Sequence, residues 1–485
     1  MKNEKNNFNK KDYIFIIFIL LTALILRLYK IDSPLADFHS WRQTDTAAVA
    51  RNFIRSGFDL LHPRFDDLSS IQSGIENPEG YRMVEFPLYN FLFAILYKLF
   101  PILSLEIFGR LVSIFFTLIT ITIIYYLIFK EFNRRVAFFS SFIFAVMPFF
   151  VFYTRVVLPE PTALSLGMIS IFFLYKFSQI KNKLLTIFYY VISVLFFSLS
   201  ILVKPTMIFY SLPLIYIFFK KDSFYFLEKF YFYLYFFISF LPFILWRFYI
   251  LNYPQGIPAN EWLINSINTT SGLKNIFFRP SFFRWIFFER INILILGGYL
   301  TTFFVIGIII KTKKLLPLFF YLSSLLYLFV FQGGNVQHEY YQTLILPTVS
   351  LSTGIGINFF LENKKNFFSS IFIYIAIFVS FIFSFYFSFE KIKNNYLYSY
   401  DLIKIANIVQ KLTDPEDKII TDRQGDTTLL YLMNRRGAPA IYKELPELKN
   451  LGYSYLLTQN KDYADNLRKE YNVVFESNNF WLIKL

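Results

Sequence analysis

The sequence predicts an all-α polytopic membrane protein with about eleven transmembrane helices and a small C-terminal extracytoplasmic α/β domain. Hydrophobic residues make up 55% of the chain and charged residues only 17%, well below the roughly 25% of soluble domains. The apolar residues recur in runs of roughly 17–24, the length that a helix needs to cross about 30 Å of hydrocarbon. These features exclude a soluble enzyme and a disordered chain. The absence of cysteine also excludes a disulfide scaffold.

The predicted spans begin with the first apolar run of the chain. That run is too long for the core of a signal peptide, and no small-residue cleavage site follows it, so we expect it to remain as a helix. The predicted spans are 13–30, 106–129, 136–153, 160–176, 184–202, 205–219, 230–250, 291–310, 315–331, 341–360 and 367–389.

The distribution of positive charge predicts the topology. A net charge of +15 suggests nucleic-acid binding in a soluble protein, but basic residues beside membrane spans mark the cytoplasmic side. A basic cluster follows every second span, whereas the short loops between hold at most one basic residue. We therefore expect membrane lipids and no nucleic acid as partners, and a cytoplasmic N-terminus. The clusters are Lys2/Lys5/Lys10/Lys11, Lys130/Arg134/Arg135, Lys176/Lys181/Lys183, Lys220/Lys221/Lys229, Lys311/Lys313/Lys314 and Lys364/Lys365.

One apolar segment does not fit this alternation. Residues 86–103 contain Pro87 and Lys98, and a crossing here would invert every later basic cluster. We expect a juxtamembrane helix on the outer leaflet instead. The number of crossings is then odd, which places the C-terminal end outside. The predicted division is a transmembrane domain over 1–389, with large outer loops at 31–105 and 251–290, and an extracytoplasmic α/β domain over 390–485.

The C-terminal segment alternates helix and strand patterns, which predicts the α/β domain. The predicted elements are a helix at 402–412, strands at 418–421 and 453–457, a helix at 463–471 and a last strand at 480–485.

Polar residues capable of chemistry gather in the predicted outward regions, which also hold all three histidines: His39, His62 and His338. The interiors of the spans carry almost no charge, which argues against an ion-coupled transporter. The densest polar group is HSWRQTDTAAVARNF at 39–53, whose alanines favour a helix from 41 to 55. Arg42 and Asp45 share a face of this helix, so Asp45 stays ionised and is able to bind a cation or accept a proton. The alternative is a surface helix with an ordinary ion pair.

Further candidates lie at other predicted outer boundaries. Glu160 is a second outward acid; the alternative is a helix-start glutamate stabilised by the helix dipole. Lys204 precedes Pro205 at the depth of a phosphate headgroup, and its own loop offers no acid. Its partner then comes from elsewhere in the fold or from a ligand; the alternative is snorkelling. HEYY at 338–341 precedes a late span, where the alternative is an interfacial aromatic belt.

These motifs resemble those of the multi-spanning glycosyltransferases of the GT-C type, of the protein-mannosyltransferase and aminoarabinose-transferase kind (the glycosyltransferase 39 superfamily). The run at 39–53 is similar to the first loop of a bacterial branch. Many relatives have an Asp-Glu pair in this loop, and either Arg42-Gln43 or Asp45-Thr46 takes its place here. The other similar segments are EFPLY at 85–89, GRL at 109–111, Pro159-Glu160, Lys204 and HEYY at 338–341.

The resemblance implies a glycosyltransferase of the cell inner membrane that uses a polyprenyl-phosphate sugar donor at the outer face. Asp45 would deprotonate the hydroxyl of a lipid, glycan or protein acceptor, with Arg42 and Glu160 as further catalytic residues. Arg42 and Lys204 would bind the donor phosphate. No cofactor is certain; for a divalent cation, Mg²⁺ or Mn²⁺, Asp45 and Glu160 would be the ligands. The residues expected to line the cleft are His39, Glu85, His338, Tyr340 and Tyr341.

Two other classes remain open on the sequence. A ligase that transfers whole glycans, as in oligosaccharyltransferases, has the same architecture. A non-catalytic binder or flippase of lipid-linked sugars would need charge along a path through the spans, and such charge is sparse here.

Overall fold

The computed structural model describes residues 7–258, 280–363 and 370–485. The chain divides into two compact units. The helical unit consists of the described residues within Met1–Ile31, Arg110–Trp246 and Ile264–Asn394. The mixed unit consists of those within Asp32–Gly109, Arg247–Leu263 and Asn395–Leu485.

The described residues of the helical unit form helices and the turns between them, and two long helices continue past the boundary of the unit. The α-helices are Lys10–Leu28, Leu105–Glu131, Arg134–Val146, Pro148–Tyr153, Glu160–Phe177, Lys183–Val203, Ser211–Asp222, Phe230–Ile250, Pro280–Phe283, Thr301–Ile309, Leu316–Val330, Gln332–Gln337, Leu346–Glu362 and Ser370–Ile392. Tighter 3₁₀ turns form Pro205–Tyr210, Ser223–Glu228 and Glu339–Ile345, and a wider π-helix forms Arg284–Ile295. The 3₁₀ turn Lys393–Tyr396 runs across the boundary.

Within the described residues, each predicted span falls on helical structure, but several of the spans are broken. Residues 367–369 of the last predicted span and residues 259–279 of the predicted outer loop lie outside the described residues. The predicted span 136–153 is interrupted at Met147, because Pro148 cannot donate to the preceding turn. The predicted span 291–310 is broken where Gly297 and Gly298 take positive φ angles. Within the described residues, five helical segments are long and apolar enough to cross a membrane; the count of eleven stays a prediction. They are Leu105–Glu131, Lys183–Val203, Phe230–Ile250, Glu339–Glu362 and Ile371–Leu412.

Two helices of the helical unit pack with their backbones in contact, because each has a glycine at the point of contact. A Cβ atom on Gly307 would lie 1.8 Å from the carbonyl oxygen of Ser352, and one on Gly356 would lie 1.9 Å from that of Phe303. Helices Thr301–Ile309 and Leu346–Glu362 therefore pack at a distance that only glycine permits. Such contacts between small residues are common where helices associate inside membranes, because the hydrophobic effect does not favour helix association there.

Among its described residues, the mixed unit contains a five-stranded sheet, six α-helices that lie wholly within it and the 3₁₀ turn Pro254–Gly256. The strands are β1 (Ile419–Thr421), β2 (Gly437–Ala438), β3 (Tyr455–Thr458), β4 (Asn472–Glu476) and β5 (Trp481–Lys484), in the spatial order β2-β1-β3-β5-β4. Strand β1 pairs in parallel with β2 and β3, whereas β5 pairs antiparallel with β3 and β4. The helices are Ser40–Ser56, Leu88–Leu99, Tyr400–Leu412, Thr428–Met433, Leu445–Asn450 and Lys461–Leu467.

The first loop and the C-terminal segment form one unit, which the predicted division did not anticipate. Backbone hydrogen bonds run from Leu68 N to Gly437 O (2.7 Å) and from Gly437 N to Asp66 O (2.9 Å). Arg51 Nη1 donates to Tyr431 O at 2.7 Å. These contacts continue the sheet edge at β2 into the first loop.

The apolar segment 86–103 forms a short helix, Leu88–Leu99, within the mixed unit. Its twelve residues rise about 18 Å, too little to cross about 30 Å of hydrocarbon. This length agrees with the prediction that the segment does not cross, and the orientation of the chain stays a prediction.

We expect that a cysteine at Phe132, between helices Leu105–Glu131 and Arg134–Val146, reacts with an impermeant maleimide only after permeabilisation. The reason is the basic cluster beside it, which the positive-inside rule places in the cytoplasm. The chain has no native cysteine, so each label reports one site. A cysteine at Ile75, an exposed residue of the first loop, is the control and should react in intact spheroplasts. Reaction of the Phe132→Cys variant before permeabilisation would overturn the predicted topology.

Candidate active site

The predicted site residues fall into two clusters, one in each unit. The Asp45 cluster, in the mixed unit, contains His39, Arg42, Asp45 and Glu85. The Glu160 cluster, in the helical unit, contains Glu160, Lys204, His338, Tyr340 and Tyr341.

The helix that carries Asp45 spans Ser40–Ser56, one residue longer at each end than predicted. It starts after His39, whose backbone is left-handed (φ 56°), and ends at Gly57 with φ 100°. The alanines between favour the helix and leave room for close packing. Arg42 and Asp45 are both buried, so the alternative of a surface helix with an ordinary ion pair is wrong.

Asp45 is held by two groups distant in sequence. Arg82 Nη2 lies 3.0 Å from Asp45 Oδ2, and the Thr427 hydroxyl donates to Oδ1 at 2.6 Å. Only 1% of Asp45 and 10% of the Arg82 side chain are exposed. Burial raises the pKa of the Asp45 carboxyl, although Arg82, Thr427 and Arg42 each favour the ionised form. A buried carboxylate with a raised pKa is well suited to accept a proton near neutral pH.

Arg42 binds the acid of the EFPLY segment. Its Nη2 donates to both oxygens of Glu85, at 2.7 and 2.6 Å. The sequence paired Arg42 with Asp45 by helix spacing; the structure gives Arg42 the Glu85 carboxylate, while its charge still acts on Asp45. His39 is half-buried at the start of the helix, with its ring centroid 4.2 Å from that of Phe38.

Sequence reasoning missed Arg82 and Thr427. Thr427 lies 382 residues from Asp45, and no local pattern joins the two. Arg82 does carry a signal, because it is a basic residue three positions before Glu85 in the first loop.

In the Glu160 cluster, Lys204 finds the partner that its own loop lacks. Lys204 Nζ lies 2.7 Å from Glu160 Oε1, with 6% and 1% of the two side chains exposed. Glu160 opens helix Glu160–Phe177, as its helix-start alternative requires, and Lys204 ends helix Lys183–Val203. Lys204 Nζ also lies 5.0 Å from the centre of the Tyr341 ring. Lys204 is therefore buried against protein and does not snorkel.

The HEYY segment completes the Glu160 cluster. Tyr340 and Tyr341 are buried, which does not fit an interfacial belt facing lipid. The half-buried His338 ring stacks on Tyr340 at 5.3 Å between centroids, and Glu339 forms an ion pair with Arg290. Within their own unit, Lys204 and Tyr341 thus join three segments that are far apart in the chain.

The described residues do not fit a metal site. Within 7–258, 280–363 and 370–485, no three His, Asp or Glu side chains are arranged to hold an ion. The two predicted ligands, Asp45 and Glu160, each face a basic side chain, Arg82 and Lys204. We therefore derive no step through a metal.

Comparison with known families gives one match over part of the chain. Residues 84–246 match the family described as dolichyl-phosphate-mannose-protein mannosyltransferase. A search of curated protein sequences gives no significant match.

Two solved structures share the fold over nearly the whole chain. ArnT from Cupriavidus metallidurans, solved with undecaprenyl phosphate, is 12% identical with a TM-score of 0.64, and the match covers 97% of both chains. The Archaeoglobus fulgidus oligosaccharyltransferase AglB, in complex with an inhibitory peptide and a dolichol-phosphate, is 10% identical with a TM-score of 0.61. That match covers 93% of this chain and 69% of AglB. These findings confirm the resemblance to glycosyltransferases with the GT-C fold.

We expect Lys204→Gln alone to lower the free energy of unfolding by about 3–5 kcal/mol, because it leaves the buried Glu160 carboxylate unpaired. The double variant Glu160→Gln/Lys204→Gln should recover most of that loss, since neither charge of the pair remains. Denaturant unfolding in detergent, followed by tryptophan fluorescence, measures both variants. If the double variant were as unstable as the single one, the loss would not come from an unpaired Glu160 carboxylate.

Proposed function

We propose that this chain is a membrane glycosyltransferase that moves a sugar from a polyprenyl-phosphate donor to an acceptor hydroxyl at the outer face of the cell inner membrane. The observation that carries the proposal is the Asp45 carboxylate, buried and held by Arg82 and Thr427 in a chain with the GT-C fold. The matched mannosyltransferase family and the lipid phosphates bound to the two solved relatives support the choice of donor.

The reaction needs a base and a means of stabilising the leaving group. Asp45 accepts the proton of the acceptor hydroxyl, whose oxygen attacks the anomeric carbon of the donor sugar. A new bond forms between that oxygen and the anomeric carbon, and the bond from the anomeric carbon to the phosphate oxygen breaks. The polyprenyl phosphate leaves with the electron pair, so its negative charge grows during the step.

Arg42 and Lys204 are the proposed cations for that charge. Each is already paired with a carboxylate, Glu85 for Arg42 and Glu160 for Lys204. These carboxylates hold the basic side chains in place without donor. The leaving phosphate carries more negative charge than a carboxylate. It would then bind each cation beside the carboxylate that holds it, or displace that carboxylate.

A second candidate is a ligase that transfers whole glycans. The observation that favours it is the structural match to the archaeal oligosaccharyltransferase. The chain covers 69% of that enzyme, so a part of the relative has no counterpart in the match. The size of the group that is transferred distinguishes the two activities.

Asp45→Asn should lower transfer by about 10²–10⁴-fold, because the amide keeps the shape of the side chain but does not accept a proton. The assay incubates purified protein with polyprenyl-phosphate monosaccharides or polyprenyl-diphosphate glycans and measures the lipid phosphate released and the mass of the product. Asp401→Asn, which changes an exposed carboxylate of the same unit, is the control and should behave as wild type.

Near-wild-type transfer by Asp45→Asn would indicate that Glu160, and not Asp45, is the base. Glycan-sized products would favour the ligase. If no donor were consumed, the non-catalytic binder would be the better account.

Lys204 is tested by donor affinity. We expect Glu160→Gln/Lys204→Gln, which removes both charges, to bind polyprenyl phosphate about tenfold more weakly, because a desolvated charge-assisted contact is lost. Lys204→Arg keeps the charge and should bind nearly as wild type. Scintillation proximity with a labelled polyprenyl phosphate measures both affinities. Equal affinity for the double variant and wild type would remove Lys204 from the phosphate site.

A further inference from the structure

A pocket in the mixed unit is lined in part by Arg82, the ion-pair partner of Asp45. Its wall includes Phe65, Asp67, Gln72, Tyr81, Arg82 and Gln255. One side is closed by the hydrogen bond from Met83 N to Gly256 O, at 2.8 Å. Gly256 makes this closure possible, because a Cβ atom there would lie 2.8 Å from the Tyr81 Cβ.

Asp67 has one carboxylate oxygen bound and one without a partner among the described residues. Its Oδ1 accepts from the backbone N of Ser69 at 2.8 Å and from the Ser69 hydroxyl at 2.6 Å. Its Oδ2 is buried and accepts no hydrogen bond from the part of the chain that the structure describes. Asp67 is 1% exposed, and a buried carboxylate oxygen without a donor is costly. A ligand hydroxyl in the pocket would supply the missing donor.

Arg82 joins this pocket to Asp45. Its Nη2 lies 3.0 Å from Asp45 Oδ2, while its Nη1 donates to Gln72 Oε1 at 3.3 Å. The Phe65 ring, 4.9 Å from the guanidinium carbon, supports the Arg82 side chain. One guanidinium therefore faces the candidate base with one edge and the wall of the pocket with the other.

We propose that this pocket binds a second hydroxyl of the acceptor, and that the acceptor is therefore a carbohydrate. The inference rests on the proposed function, in which Asp45 deprotonates the reacting hydroxyl. A serine or threonine side chain has one hydroxyl, which the reaction consumes, so it has none left for Asp67. A sugar presents neighbouring hydroxyls, one for Asp45 and another for Asp67 Oδ2. Amide groups and aromatic rings in the wall, from Gln72, Gln255, Tyr81 and Phe65, suit such a polar and partly apolar ligand.

The ionisation of Asp67 gives this contact a pH dependence. Burial raises the pKa of Asp67 to about 7, with Arg82 opposing the rise and Asp45 adding to it. Tyr453 is a further titratable group near Asp67, and the Asp67 charge raises the pKa of the Tyr453 hydroxyl. The ionised carboxylate is the better acceptor for a hydroxyl, and its population falls as the pH falls through about 7. Affinity for the acceptor should therefore weaken on the acid side.

The first test separates acceptor from donor in the transfer reaction. Asp67→Asn should raise the KM for a carbohydrate acceptor at least tenfold and leave the KM for the polyprenyl-phosphate donor unchanged. In wild type, the acceptor KM should rise between pH 8 and pH 6, and this rise should be absent from Asp67→Asn. Glu79→Gln makes the same chemical change at an exposed carboxylate of the same loop and should match wild type.

The second test does not require turnover. Purified wild-type protein and both variants are applied to an array of immobilised mono- and disaccharides. Wild type and Glu79→Gln should bind a shared subset, and Asp67→Asn should lose it. If no donor is consumed but this pattern appears, the proposed function fails and the sugar pocket stands.

Three results would overturn the pocket assignment. One is transfer with an acceptor KM that neither Asp67→Asn nor pH changes. Another is transfer to peptide hydroxyls alone. The third is an array on which wild type binds no saccharide, which would leave the pocket with a structural water only.

Discussion

The pairing of Asp45 with Arg82 inside the mixed unit is the constraint on which the candidate site depends. Removing an ionised carboxylate from water is costly unless a cation and hydrogen-bond donors compensate for the lost hydration. Arg82 and Thr427 supply that compensation. The same rule places Glu160 against Lys204 in the helical unit. In both units, a buried charge fixes where distant segments must meet.

Apolar and alanine-rich runs in the sequence predict most of the helices of this protein. Long apolar runs give the spans, and the alanines after Trp41 give helix Ser40–Ser56. In the C-terminal segment, the predicted strands at 418–421, 453–457 and 480–485 correspond to β1, β3 and β5. Strand β2 has only two residues, and the apolar run of β4, residues 473–475, is too short to predict a strand by itself. The breaks at Pro148 and at Gly297 depend on turns that hydrophobicity does not detect.

The site was predictable in part. The dense polar segment at 39–53 indicated Asp45, and polar residues at the ends of apolar spans indicated Glu160 and Lys204. Their partners could not be deduced in the same way. Arg42 and Asp45 are three residues apart on a helix, yet Glu85 and Arg82 from a later loop segment lie against them. Sequence spacing describes neighbours on one helix, whereas tertiary contacts decide which charge meets which.

The distance along the chain between Asp45 and Thr427 has a consequence for biosynthesis. Asp45 emerges from the ribosome early, but its hydroxyl partner follows 382 residues later. The ion pairs of the first loop can form early, but Asp45 must wait for the Thr427 hydroxyl, and Arg51 for the Tyr431 carbonyl, until the last part of the chain has been made. A chain stopped before β1 would lack both Thr427 and the sheet edge that Leu68 joins. The surroundings of Asp45 therefore assemble only after synthesis has passed Thr427 and the sheet edge at β2.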